Sequence, residues 1–176
     1  MEINTLTQSE LETLLQHTEC SQHIVICTHK SPDGDALGSS LAWLEFLNNR
    51  NKSADIIIPD AYPDFLQWLP NSEKVIRYDK HKERAEALLN GADLIFCLDF
   101  NGFGRVDEMQ PALENSPARK IMIDHHIDPQ METVLTVSRP EMSSTCELVF
   151  RIMYQSGDFE KMTKKCAVCL YCGMMT

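Results

Sequence analysis

Basic side chains are scarce in this chain and never run together. Of 176 residues, 16 are Lys or Arg against 26 Asp or Glu, a formal charge of -10, and basic runs do not exceed pairs such as Lys164-Lys165. A broad cationic face for duplex DNA is therefore excluded. No apolar run approaches the roughly 20 residues of a bilayer-spanning helix. With a mean hydropathy of -0.25, a membrane span is not expected. Residues 1–12 carry Glu2, Glu10 and Glu12 where a secretory leader would show a basic segment and then an apolar one, so a cytoplasmic protein is expected. The seven cysteines are odd in number, and without an export signal they read as reduced thiols. Cys166, Cys169 and Cys172 form C-x2-C-x2-C, but no fourth cysteine follows and the residues between are apolar. Thiols on a packed helix face fit this better than a metal cluster.

What is present is an alternation of apolar runs and amphipathic stretches, in a length suited to one core. Leucines 6, 11, 14 and 15 and the capping box from Thr7 to Glu10 predict a helix over 5–18. The β-branched run 23–29 reads as a strand buried on both faces, followed by a loop over 30–35 and a helix over 36–49. Further strands are expected at 54–58, 74–78, 92–98 and 120–123, and helices at 62–69, 80–90, 144–155 and 160–171. Cys27 and Cys97, inside apolar runs, are core residues by this reading. Such alternation demands right-handed crossovers and predicts a three-layer α/β/α Rossmann-like sandwich with a mostly parallel sheet. The glycine-rich G-x-G-x-x-G loop of dinucleotide-binding folds is missing. The first strand-to-helix turn is instead His-Lys-Ser-Pro-Asp-Gly-Asp, whose carboxylates repel a pyrophosphate unless a metal intervenes.

Candidate ligands gather at three predicted strand ends. The first strand ends in His29 and its loop adds Asp33 and Asp35; the 92–98 strand runs into Asp99; the 120–123 strand runs into Asp124-His125-His126. Open parallel sheets bind ligands beyond the carboxyl ends of their strands, so these groups converge on one crevice. Taken singly, each is an ordinary loop or cap residue, and Asp33 or Asp35 suits the N-cap of the following helix. Taken together, close carboxylates need a counter-charge, and a divalent cation supplies it. Mixed oxygen and imidazole donors suit Mn²⁺ best, with Mg²⁺, Co²⁺ or Zn²⁺ also compatible. Two such ions about 3.5–4 Å apart would activate water for in-line displacement at phosphorus.

The segment His29-Lys-Ser-Pro-Asp33-Gly-Asp35-Ala36-Leu37-Gly38, the apolar strand into Asp99, and Ile123-Asp124-His125-His126 resemble motifs I, II and III of the DHH phosphoesterase superfamily. Ser143-Ser-Thr-Cys-Glu-Leu-Val and Leu170-Tyr-Cys-Gly-Met-Met-Thr resemble its DHH/DHHA1 subgroup, the bacterial oligoribonucleases (nanoRNases) that also dephosphorylate 3′-phosphoadenosine 5′-phosphate. The resemblance implies a Mn-dependent hydrolase of short RNA oligomers or small phosphorylated nucleotides, with two ions in the complete site. It makes His29 and Asp33 ligands of one ion, Asp35 and His125 ligands of the other, and Asp99 the bridge. His126 would face the scissile phosphate as a catalytic residue and Asp124 would orient the histidines. Arg105 would contact phosphate, though an exposed loop arginine also reads as plain surface. The family places an Asp, motif IV, directly after the 170–176 stretch, whereas this chain stops at Thr176. Residues 1–176 therefore read as an amino-terminal DHH domain ending one residue before its last ligand, without the DHHA1 substrate domain. A weaker second ion and self-association into a homodimer through the uncovered apolar face are expected from that. Two other functions share the motifs: a pyrophosphatase or polyphosphatase of the same superfamily, and a non-catalytic metal- or nucleotide-binding module.

Overall fold

The apolar runs become parallel strands in the computed structural model, which describes residues 4–176; part of the acidic start, residues 1–3, lies outside the described residues. The strands are β1 (Ile24–Cys27), β2 (Ala54–Ile58), β3 (Ile76–Arg77), β4 (Leu94–Leu98), β5 (Arg119–Asp124) and β6 (Leu135–Ser138). All pair in parallel in the order β3-β2-β1-β4-β5-β6. The helices are α1 (Gln8–Cys20), α2 (Gly34–Asn49), α3 (Lys82–Gly91), α4 (Gln110–Asn115), α5 (Thr145–Gln155) and α6 (Lys164–Met175). Among the described residues, no helix is long and apolar enough to cross a membrane.

Because side chains alternate across a pleated strand, each apolar strand feeds two cores. Ile24, Ile26, Leu94, Phe96, Leu98, Ile121 and Ile123 pack under α1, α2, α5 and α6. Val25, Cys27, Ile95, Cys97 and Met122 pack under α3 and α4. The sheet is thus the middle of three layers, as the alternation predicted. Chain order reverses between β1 and β4, which both start at the centre and lead the chain outward in opposite directions. Crossovers on either side diverge there, leaving a crevice above the carboxyl ends of β1 and β4.

Two local details fix the frame. Thr7 and Glu10 form the expected capping box on α1: the Glu10 amide donates to the Thr7 hydroxyl and the Thr7 amide to the Glu10 carboxylate. Helices α2 and α6 meet at two glycines. A Cβ on Gly38 would lie 2.6 Å from the Cys169 carbonyl oxygen, and one on Gly173 2.3 Å from Cys146 Sγ and 2.9 Å from the Gly34 carbonyl oxygen. All seven cysteines are free thiols, and Cys166, Cys169 and Cys172 are buried on α6 as helix-face residues.

Candidate metal centre

The chain leaves β4 at Asp99 with φ 65°, in the left-handed region that Asp tolerates better than most residues. Asp99 is only 2% exposed, and its two oxygens face different groups. Oδ2 lies 3.4 Å from His29 Nε2, beyond β1; Oδ1 lies 3.6 Å from His125 Nε2 and 3.9 Å from His126 Nδ1, beyond β5. Donor atoms of His29, Asp33 and Asp99 fall within 4.8 Å of one another, and so do those of Asp99, His125 and His126. Asp99 belongs to both groups. The cleft above it measures about 360 Å³ and is lined by Asp33, Asp35, His125, His126 and Ser144 among others.

The histidines are oriented by their Nδ1 atoms. His29 Nδ1 is 2.7 Å from the Lys30 carbonyl oxygen and His125 Nδ1 is 3.3 Å from that of Met142. A carbonyl only accepts, so each Nδ1 carries a proton, and in the neutral ring each Nε2 keeps its lone pair. His126 Nδ1 is 2.7 Å from Asp124 Oδ1, a buried carboxylate whose Oδ2 has no hydrogen-bond partner among the described residues. Asp33 does two things at once. Its Oδ1 accepts from the Asp35 and Ala36 amides at 3.0 Å, capping α2, while its carboxylate stays within reach of His29 and Asp99.

Asp35 is held by the start of α5. Its Oδ2 accepts from the Thr145 amide and its Oδ1 from the Cys146 amide, both at 2.7 Å, and His125 Nε2 is 3.7 Å from Oδ2. Unpaired amides at a helix N-terminus favour an anion. Burial and the Asp99 charge nevertheless win, raising the Asp35 carboxyl to about 7. Burial lowers His29, but the Asp99 carboxylate 3.4 Å away and the bond to the Lys30 carbonyl outweigh it and leave the imidazole above its ordinary value. The sequence therefore brought six predicted residues to one place: His29, Asp33, Asp35, Asp99, His125 and His126, with Asp124 behind. It did not bring Arg105, which is exposed on the turn Phe103–Met109, lies outside the cleft lining and touches the site only through its backbone carbonyl, which accepts from the Lys30 amide. Thr145 was missed. It lies in the Ser143-Ser-Thr-Cys-Glu-Leu-Val stretch that resembles the subgroup, directly after Ser144, the N-cap of α5, and no site role was read for it.

This donor set fits a divalent cation: carboxylate oxygens and imidazole nitrogens, no thiolate, and a charge conflict that a cation removes. Metal-free protein should lose stability as pH rises, because both shifted groups favour their protonated forms. Asp35 contributes fully below its ordinary value of 3.8, and its contribution is lost as pH passes about 7. His29 acts with the same sign, lost as pH rises through its raised value. A cation must displace these protons, so the rise in melting temperature caused by Mn²⁺ should be small at pH 5.5 and large at pH 8. Equal rises at the two pH values would place the ion elsewhere.

A doubly wound parallel sheet with a carboxylate shared by two donor groups at its switch point defines an α/β protein whose crevice could hold metal ions and lacks the dinucleotide-binding glycine loop. Residues 23–174 match the DHH family, N-terminal domain, and the chain belongs to that family. It is similar to an exopolyphosphatase-related protein from Bacteroides fragilis of known crystal structure, at 46% identity and a TM-score of 0.94 over 96% of this chain and 50% of that one. It is 26% identical over 164 residues to a probable bifunctional oligoribonuclease and PAP phosphatase, NrnA, of Streptococcus mutans, covering 93% of this chain and 48% of the relative. Manganese-bound RecJ of Thermus thermophilus shares the fold at 16% identity and a TM-score of 0.52, over 96% of this chain and 24% of that one. The chain thus spans half or less of the length of each of these relatives.

Proposed function

We propose that this domain carries a two-cation phosphoesterase centre for short oligoribonucleotides and 3′-phosphoadenosine 5′-phosphate. The observation that carries it is the double membership of Asp99, one carboxylate serving two donor groups. In this reading His29, Asp33 and Asp99 hold one ion, and Asp99, Asp35 and His125 hold the other, with manganese the ion that the mixed donors and the RecJ relative favour. When bound, the ions supply an activated water and neutralise charge on the phosphoryl group. His126, whose Nδ1 is held by Asp124, lines the cleft and would bond a phosphoryl oxygen through Nε2. Its membership in the second donor group also makes it a candidate ligand beside His125. Asp124 holds the ring in place. The net charge of -10 speaks against duplex DNA and leaves small phosphorylated substrates.

The Streptococcus relative favours the nucleotide substrates, whereas the Bacteroides relative favours inorganic polyphosphate, which is the second reading. Both are separated by assaying the protein with Mn²⁺ on 3′-phosphoadenosine 5′-phosphate, a short RNA, pyrophosphate and polyphosphate side by side. Faster release from the two nucleotide substrates is expected. Faster release from pyrophosphate or polyphosphate would establish the second reading, and Mn²⁺ binding without turnover on any substrate would make the domain a binding module.

A further inference from the structure

We propose that Thr145 is a positioning residue that sets the rotation of the Asp99 carboxylate, and thereby allows one side chain to serve two cations. The inference rests on the reading of Asp99 as the shared ligand.

Thr145 is the first residue of α5 and wholly buried. Its hydroxyl donates to Asp99 Oδ1 at 2.8 Å, while its backbone amide donates to Asp35 Oδ2 at 2.7 Å. One residue therefore touches both of the buried carboxylates that repel each other, through two different groups. The amide is supplied by any residue at this position; the hydroxyl is not.

Asp99 needs such a partner for a geometric reason. Its left-handed backbone fixes the chain at the strand end, but leaves the carboxylate free to turn about its Cβ–Cγ bond. The surrounding imidazoles are 3.4 to 3.9 Å from its oxygens, too far to fix that torsion by hydrogen bonding. The Thr145 hydroxyl, at hydrogen-bond distance, holds Oδ1 on the side of His125 and so keeps Oδ2 toward His29. A buried hydroxyl must find an acceptor, which makes the bond persistent. It also occupies one lone-pair direction of Oδ1, leaving the others to face the cleft.

The test compares Thr145→Val, which keeps the shape and removes the hydroxyl, with Thr145→Ser, which keeps the hydroxyl and removes the methyl. Mn²⁺ binding is measured by calorimetry, and proximity of two ions by the spin-coupled electron paramagnetic resonance signal of a manganese pair. Thr145→Val should weaken Mn²⁺ binding by roughly 10–100-fold, the usual effect of losing a group that orients a ligand, and should lose the coupled signal. Thr145→Ser should retain both. Should Thr145→Val not fold, Thr145→Ala makes the same test, since it lacks the hydroxyl and cannot overpack. Binding and signal unchanged in the variants without the hydroxyl would overturn the proposal. Equal loss in Thr145→Ser would also overturn it, because the methyl and not the hydroxyl would then matter. Failure of the underlying reading is distinguishable: Asp99→Asn would then bind Mn²⁺ as well as the unmutated protein does.

Discussion

Asp99→Asn is expected to strip Mn²⁺ from both donor groups, lowering affinity by more than the roughly 10–100-fold seen when a ligand's supporting residue is lost. Asparagine preserves the volume, tolerates the left-handed backbone, and still offers an oxygen to the Thr145 hydroxyl. What it removes is the charge. Ligands serving a single group should be milder, so His29→Ala should keep the ion held by Asp35, Asp99 and His125. Without metal the sign reverses. Asp35 is raised to about 7 by burial and by its neighbour Asp99, so neutralising that neighbour should leave the metal-free protein at pH 8 at least as stable as before. Metal content per chain and melting temperature in a chelator measure the two halves. Metal content equal to that of the unmutated protein would remove Asp99 from the centre, and a large drop in metal-free stability would show that the carboxylate pair is not in conflict.

The second large effect comes from a single methyl group. Replacing a helical glycine by alanine ordinarily stabilises by about 1 kcal/mol, yet Gly38→Ala is expected to destabilise. The new Cβ would lie 2.6 Å from the Cys169 carbonyl oxygen and 3.3 Å from the Gly173 amide nitrogen, both backbone atoms that cannot rotate away. Overpacking of this kind costs about 1–3 kcal/mol, and the separation of α2 from α6 needed to relieve it outweighs the gain in propensity. For a chain of this size each kcal/mol is worth roughly 2–4 °C in Tm. Helix α2 also carries Asp35 in its first turn, so Mn²⁺ affinity should fall along with stability. A melting temperature unchanged or raised in Gly38→Ala would mean that the two helices can part without loss.

The elements that carry the site were the easiest to read. Apolar runs leading to His or Asp mark β1, β4 and β5, since burial on both faces fills β1, β4 and the 121–123 stretch of β5 with apolar residues. Strand β6 escaped because Leu135-Thr-Val-Ser is a four-residue edge strand with only Val137 fully buried. Helix α4 escaped because it spans six residues, has Pro111 in its first turn and buries Leu113 alone. The last helix was placed early: 159–161 is a separate 3-10 turn, and α6 begins only after Thr163 caps it. Of the site, the residue types and strand ends were legible, as charge conflict and spacing require. The role of Thr145 was not, although its segment stood out, because it depends on the start of α5 reaching Asp35 and Asp99, which are distant in sequence.

The sheet order has a consequence for time as well as space. The donors stand at positions 29, 33, 35, 99 and 125, and they meet only when β1 has paired with β4 and β4 with β5, pairings such as Ile24 with Leu94 and Leu94 with Arg119 that are distant in sequence. Non-local parallel pairing is slow to form, so completion of the centre is expected late in folding. A cation that needs all the donors is then expected to bind after assembly rather than to guide it. Its influence falls on the escape from the native state, making the loaded domain slower to unfold rather than quicker to fold.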